Sequence, residues 1–245
     1  MSENSDRRTK TGLDCRLIRM MVECDQAALV PLAESERERD TALWSGWLLF
    51  STAGLGGLFV YLLIRQRIEP GFTDYWGFMI AQIAGTLVLV VALSVWLARE
   101  GGLSWYTHLV VTVNTWADTL GTAGHLYERH DSYDKITHFL AGIAITAAGA
   151  DVIRAINKRG WIRLTLARQL LLAASLTLAI NLGWEAYEYL GDVLFQSERH
   201  RGRLDTAYDL VSDLSGALVS VLIISMLRRE RLTATAQPLE PERAV

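Results

Sequence analysis

The chain has 245 residues, of which 51% are hydrophobic and 21% are charged, and its formal net charge is −3. The apolar residues come in long blocks without the 3.6-residue stripes of soluble amphipathic helices, which excludes a water-soluble helical bundle. No nucleic-acid partner is predicted.

Residues 1–40 are predicted to form a separate cytoplasmic segment before the membrane domain. They are charged and mixed, without the early hydrophobic core and cleavage site of a secretory signal. Within them, CRLIRMMVECDQAALVPL fits either a short amphipathic helix on the inner leaflet or a partly ordered tail. Cys15 and Cys24 are the only cysteines, and on the reducing side of the membrane they are not expected to form a disulfide.

Six apolar blocks are long enough to span a bilayer, because about 20 apolar residues cross its hydrocarbon core. We therefore predict an all-α, polytopic integral membrane helical bundle with about six transmembrane helices in residues 41–228. A disordered cytoplasmic tail is predicted at 229–245. The first, second and sixth blocks are clear-cut membrane spans by hydropathy, whereas the third, fourth and fifth are the ones that carry charge. The blocks are residues 43–64, 76–98, 103–125, 135–156, 168–190 and 207–227.

The distribution of Lys and Arg predicts the orientation of the bundle. With the N-terminus inside, 17 of the 24 basic residues lie on the cytoplasmic side. The positive-inside rule then places both termini in the cytoplasm. The predicted location is the inner (cell) membrane of a bacterium, with the lipid bilayer as the expected partner. The basic inner loop NKRGWIRLTLAR is expected to lie against anionic headgroups.

Acids and histidines interrupt the last four blocks, where a carboxylate costs about 2.5–3.5 kcal/mol at the bilayer centre. The predicted orientation brings them to one depth on the outer side. Helical spacing adds that Asp134 and His138 share a face, as do Glu185 and Glu188. A buried polar cluster is therefore expected. Its members are Asp118, His125, Asp134, His138, Glu185, Glu188, Asp209 and Asp213.

Three kinds of function remain open for this cluster. A divalent metal ion would neutralise the acids and activate water, which suits a membrane enzyme acting on a lipid or envelope substrate. Chains of acids and His also serve as proton relays, which suits a proton-coupled transporter of small molecules. A buried network that only fixes helix register would make the protein a non-catalytic scaffold. The candidate catalytic residues are Asp134, His138, Glu185, Glu188, Asp209 and Asp213, and the candidate metal ligands are His138, Glu185, Glu188, Asp209 and Asp213.

Simpler interpretations exist for single residues of the cluster. His138 alone fits a core histidine that is hydrogen-bonded to Asp134. Acids early in the sixth block, such as Asp209, are favoured by the helix dipole. Glu185 and Glu188 lie near a helix C-terminus, where the dipole disfavours acids, so capping does not explain them.

Three motifs in the second half of the chain are YDKITHFLAG, NLGWEAYEY and LDTAYDLVSDLSGAL. In this order they resemble motifs of YjdF-like bacterial inner-membrane proteins. They are more distantly similar to VanZ-like proteins, which share the Asp-Lys-x-x-His-Phe opening. The resemblance covers residues 114–225 and implies an inner-membrane protein. It does not imply a particular activity. The matched positions are Tyr133, Asp134, His138, Phe139, Gly142, Glu185, Glu188, Asp205, Thr206, Asp209 and Gly216.

Overall fold

The computed structural model describes residues 45–68, 73–195 and 202–235, and every regular element in these ranges is helical. The predicted segment 1–40 lies outside the described residues, as does the end of the predicted tail. The elements are α1 Ser45–Ile68, α2 Thr73–Trp96, a 3₁₀ helix Ala98–Glu100, α3 Trp105–Ala123, α4 Leu126–Arg129, α5 Asp131–Lys158, α6 Leu166–Phe195 and α7 Arg203–Thr235.

Five of these helices, α1, α2, α5, α6 and α7, are long and apolar enough to cross a membrane. The prediction of an all-α membrane bundle is confirmed, and each of the six apolar blocks is a helix. The count of six membrane spans is not confirmed, because α3 is too polar to be recognised by hydropathy. Its buried residues include Thr107, His108, Thr112, Thr115 and Thr119.

The outside of the bundle is apolar. Large aliphatic side chains point away from the core, among them Val88 on α2, Leu171 on α6 and Leu222 on α7, which are 67%, 69% and 59% exposed. A soluble protein rarely leaves so much contiguous apolar surface in contact with water. These helix faces therefore suit contact with lipid.

Helix α3 packs antiparallel to α5 along most of the length of that helix. At its start, the Ser104 N–H donates to Asp151 Oδ2 over 2.7 Å, and the Thr107 hydroxyl donates to the same oxygen over 2.7 Å. Near its end, the Tyr133 hydroxyl donates to the Ala117 carbonyl over 2.6 Å. The 19 residues of α3 span about 28 Å. Its polar side chains are accommodated because they face neighbouring helices.

Helices α5 and α7 cross at two glycines. A Cβ placed on Gly142 would lie 2.2 Å from the Asp213 carbonyl oxygen, and one on Gly216 would lie 2.0 Å from the Phe139 carbonyl oxygen. Small residues at a membrane-helix interface permit this approach of two backbones. The crossing fixes the first turns of α7 against the first turns of α5.

The opposite end of the bundle is basic, and we call it the basic end, defined by Arg154, Lys158 and Arg159. Arg159 donates from Nε and Nη2 to the Glu100 carboxylate over 2.8 Å each and lies over the Trp96 ring. These hydrogen bonds lower the pKa of Glu100. The ion pair joins the end of α5 to the turn before α3.

Candidate functional site

The candidate site lies at the end of the bundle opposite the basic end, where α5 and α7 begin and α6 approaches its end. His138 is 9% exposed, Glu185 4%, Asp209 2% and Asp213 0%. These residues reach one point because the glycine crossing presses α7 onto α5. We call Asp134, His138, Glu185, Asp209 and Asp213 the histidine cluster.

The His138 imidazole is surrounded by four carboxylates from three helices. Its Nδ1 lies 3.3 Å from Asp213 Oδ2. Its Nε2 lies 3.8 Å from one oxygen of each of the other three acids of the histidine cluster. The oxygens facing Nε2 are Asp134 Oδ1, Glu185 Oε1 and Asp209 Oδ1.

Lys135 supplies a fixed positive charge to the acids of this region. Its Nζ lies 2.6 Å from Asp205 Oδ1, 2.5 Å from Asp209 Oδ1 and 3.3 Å from Asp134 Oδ2. The lysine therefore joins the starts of α5 and α7. Sequence reasoning missed this residue, although the need for a cation among so many acids was a signal that could have found it.

Among the residues that the structure describes, the charges of this region do not balance. Lys135 and His138, even when both are charged, face five carboxylates: Asp134, Glu185, Asp205, Asp209 and Asp213. Buried like charges repel, so the region must take up protons or a further cation. Glu185 Oε1 and Asp213 Oδ1 are buried without a hydrogen-bond partner among the described residues, so both oxygens remain able to accept one.

A cavity of about 400 Å³ adjoins the histidine cluster. Volumes of roughly 300–1,000 Å³ are typical of small-molecule sites. Asp134 and His138 belong both to the cluster and to the cavity wall, so a molecule in the cavity has direct access to the imidazole. The remaining lining residues come from α2, α3, α4, α5 and α6, and from His125 before α4.

Asp118 lies on the α3 wall of this cavity and is held by two neutral donors. The Tyr127 hydroxyl donates to Asp118 Oδ1 and Gln82 Nε2 donates to Oδ2, each over 2.5 Å. Burial and the neighbouring negative charge of Asp118 raise the pKa of Tyr127, which keeps its hydroxyl protonated as a donor. Nothing in the sequence pointed to Tyr127 as a partner of Asp118.

The structure thus brings together five of the six candidate catalytic residues and separates the sixth. Glu188 lines the cavity, and its Oε1 accepts a hydrogen bond from Trp184 Nε1 over 3.0 Å. His125 also lines the cavity, where its Nδ1 lies 3.1 Å from Glu128. Asp134, which the sequence-based list of metal ligands left out, has an oxygen grouped with His138 and Asp209 within 4.8 Å.

Fold and site together define a polytopic helical membrane protein with a buried acidic-histidine cluster beside a cavity. The family model described as predicted membrane protein (DUF2238) matches residues 51–230, and the chain belongs to this family. The matched region contains every residue of the histidine cluster. No curated protein and no solved structure matches the chain.

Proposed function

We propose that the protein is a membrane enzyme that holds a divalent metal ion at His138 and acts on a lipid or envelope substrate in the adjoining cavity. The observation that carries this proposal is the surroundings of the His138 imidazole. Asp213 accepts at Nδ1, which favours the tautomer with a proton on Nδ1 and a lone pair on Nε2. That lone pair then faces three carboxylate oxygens at 3.8 Å.

A cation between these groups relieves their repulsion. Metal-bound histidines commonly donate their second ring N–H to a carboxylate, which orients the ring, and Asp213 stands in that position. Ligand atoms about 2.1 Å from a small divalent ion lie about 3 Å apart. The oxygens and Nε2 therefore need to close in by about 1 Å.

The ligand set that follows is Nε2 of His138 with one oxygen each from Asp134, Asp209 and Glu185. Glu185 Oε1 supports this set because it is buried without a hydrogen-bond partner among the described residues. Three carboxylates and one imidazole suit a hard or borderline ion such as Mg²⁺, Mn²⁺, Fe²⁺ or Zn²⁺. Lys135 would continue to neutralise Asp205 and the second oxygen of Asp134. Asp209 Oδ1 faces both Lys135 and Nε2, so it would bind the metal with one lone pair and accept from Lys135 with the other.

An enzyme also needs a substrate-binding site beside the metal, and the cavity provides the space for one. A bound divalent metal polarises a substrate oxygen or lowers the pKa of a bound water, which makes that water a nucleophile at neutral pH. Glu188 lines the same cavity as His138, so its carboxylate is available to exchange a proton with a molecule in the cavity. Glu188 is therefore assigned to proton transfer instead of to the metal.

Metal analysis of protein purified without chelator tests the proposal. We expect a stoichiometric amount of one divalent metal in the wild type and a large loss of it in Glu185→Gln, which keeps the shape of the side chain. Glu100→Gln at the basic end is the matched control and should keep the metal. Metal-free wild-type protein, or full metal content in Glu185→Gln, would contradict the proposal.

Proton-coupled transport is the alternative that one observation favours. A doubly protonated His138 would place a positive charge among the three acids that face Nε2. Asp213 Oδ1, which has no hydrogen-bond partner among the described residues, can accept a further proton. Substrate-dependent proton flux into liposomes containing metal-free protein would support transport. Normal function in the cell of both Glu185→Gln and Asp209→Asn would instead favour the scaffold.

We also infer that α3 crosses the membrane with the five apolar helices, so that both termini are cytoplasmic and the histidine cluster lies near the outer leaflet. The antiparallel packing of α3 along α5 and the excess of basic residues on the inner side support this orientation. The resemblance to YjdF-like proteins supports a bacterial inner membrane.

Cysteine labelling tests the orientation in a background with Cys15 and Cys24 replaced by Ser. Ser132→Cys, at the start of α5, should react with a membrane-impermeant reagent in cells with a permeabilised outer membrane. Arg163→Cys, after the end of α5, should react only after the inner membrane is lysed. The reverse pattern would place the histidine cluster on the cytoplasmic side.

A further inference from the structure

The wall of the cavity carries negative charge from several helices. Asp118 comes from α3, Glu128 from α4, Asp134 from α5 and Glu188 from α6. Among the residues that the structure describes, no Lys or Arg lines the cavity. Lys135 pairs with Asp134 but is not itself a lining residue. Glu128 is paired with His125 and Asp134 with Lys135, whereas Asp118 and Glu188 accept hydrogen bonds from the neutral donors Gln82, Tyr127 and Trp184. A cation in the cavity would therefore be attracted by Asp118 and Glu188 above all, and an anion would be repelled by them.

Aromatic rings form another part of the wall. Phe78 and Trp184 both line the cavity, and their ring centroids lie 6.3 Å apart. Trp184 also donates to Glu188, so an acid and an aromatic ring lie side by side in the cavity lining. This combination suits an organic ammonium group, because the carboxylate attracts its charge and an aromatic ring within reach adds a cation–π attraction.

Asn181 gives an independent indication that the cavity holds a ligand. It is 4% exposed and lines the cavity, yet its Nδ2 has no hydrogen-bond partner among the described residues. A buried donor without a partner costs about 1–3 kcal/mol, so an acceptor on a bound molecule is expected there. On the α3 wall, the Asn114 oxygen also lacks a described partner and can accept from an ammonium N–H.

We propose that the cavity binds a small organic ammonium ion that carries an oxygen acceptor a few bonds away, as in an ethanolamine unit. The ammonium lies among the cavity acids and aromatic rings, and the oxygen accepts from Asn181. This unit can belong to a soluble amine or to an amine-bearing lipid headgroup. This inference rests on the proposed function only where it takes the ammonium compound to be the substrate of the enzyme. Binding of the ammonium compound to the cavity does not require the metal.

The binding experiment uses the full-length protein in nanodiscs of phosphatidylglycerol, with ethanolamine and glycerophosphoethanolamine as probes. Trp fluorescence measures binding, with Trp184→Phe identifying the responding ring. N-acetylethanolamine is the matched neutral probe. We expect saturable binding of at least one charged probe and at least about tenfold weaker binding of the neutral one, a difference of about 1.4 kcal/mol.

Two variants and one control show whether the cavity acids carry this preference. Glu188→Gln and Asp118→Asn should each weaken binding of the charged probe by about tenfold. Glu100→Gln at the basic end should bind it like the wild type. Gel filtration and the metal content of each variant are measured on the same samples. Wild-type protein that contains the metal but binds no charged probe would overturn this inference and would leave the proposed metal site standing.

Native mass spectrometry separates the two sources of the ammonium group. Retention of phosphatidylethanolamine over phosphatidylglycerol by the wild type, reduced in Glu188→Gln, identifies the headgroup. Binding of free ethanolamine without lipid retention identifies a soluble amine. The proposal is overturned if no charged probe binds, if N-acetylethanolamine binds equally well, or if both acid variants bind like the wild type.

Discussion

Replacing His138 by Gln is expected to abolish stoichiometric metal binding, whereas Asp213→Asn should weaken it by about 10–100-fold without abolishing it. The difference arises because His138 provides the ligand atom Nε2, while Asp213 contacts the opposite nitrogen and only orients the ring. Gln is preferred to Ala at position 138, because truncating one member of a buried charged network can cost about 3–5 kcal/mol and obscure the result. Titration of metal-free protein with Mn²⁺ or Zn²⁺ measures the change in affinity.

The matched control for this prediction is His125→Gln. His125 lines the same cavity but is paired with Glu128, away from the histidine cluster. Its replacement should leave the metal affinity of the wild type unchanged. Equal loss in His125→Gln and His138→Gln, or the same affinity in Asp213→Asn as in His138→Gln, would contradict the assigned roles.

Alanine at Gly216 or Gly142 should destabilise the bundle and also weaken metal binding. The new Cβ would lie 2.0 Å or 2.2 Å from a backbone carbonyl oxygen of the opposing helix, so α5 and α7 must move apart. Overpacking costs about 1–3 kcal/mol, and a backbone neighbour cannot rotate away as a side chain can. The same movement draws Asp209 and Asp213 away from His138. Reversible unfolding in nanodiscs or mixed micelles measures the loss of stability.

Gly183→Ala and Gly56→Ala are the matched controls for the crossing. Both glycines lie in helices, and a Cβ at either position would meet no atom within 4 Å. Alanine there should be neutral or should stabilise its helix by about 0.5–1 kcal/mol. A Gly216→Ala protein as stable as Gly183→Ala would show that α5 and α7 do not approach so closely.

The helices could be predicted from the sequence because hydropathy is a local property. Blocks such as the second, 76–98, contain enough apolar residues to identify a helix without knowledge of its neighbours. Block 103–125 could be predicted as a helix in the same way, but the partners of its polar residues could not, because those residues contact α1, α2 and α5. Asp151, which binds the start of α3, lies 47 residues away from Ser104 in the chain.

The membership of the candidate site was only partly predictable from helical spacing. Asp134 and His138 are one turn apart and do meet. Glu185 and Glu188 are three residues apart, so their directions differ by about 60° around α6. Because of this angle, Glu185 faces His138 while Glu188 lines the cavity. The spacing alone does not show which of the two glutamates faces His138. The contact of Lys135 with Asp205 depends on the crossing of α5 and α7, a non-local feature.

On the proposed function, a divalent metal ion binds between the three carboxylates and Nε2 of His138. Crystals of protein purified without chelator and loaded with Mn²⁺ allow this ion to be located by its anomalous scattering. We predict a peak about 2.0–2.4 Å from His138 Nε2 and from oxygens of Asp134, Asp209 and Glu185. The absence of a peak at this position, with Mn²⁺ in excess and Glu185 hydrogen-bonded directly to the His138 ring, would contradict the claim.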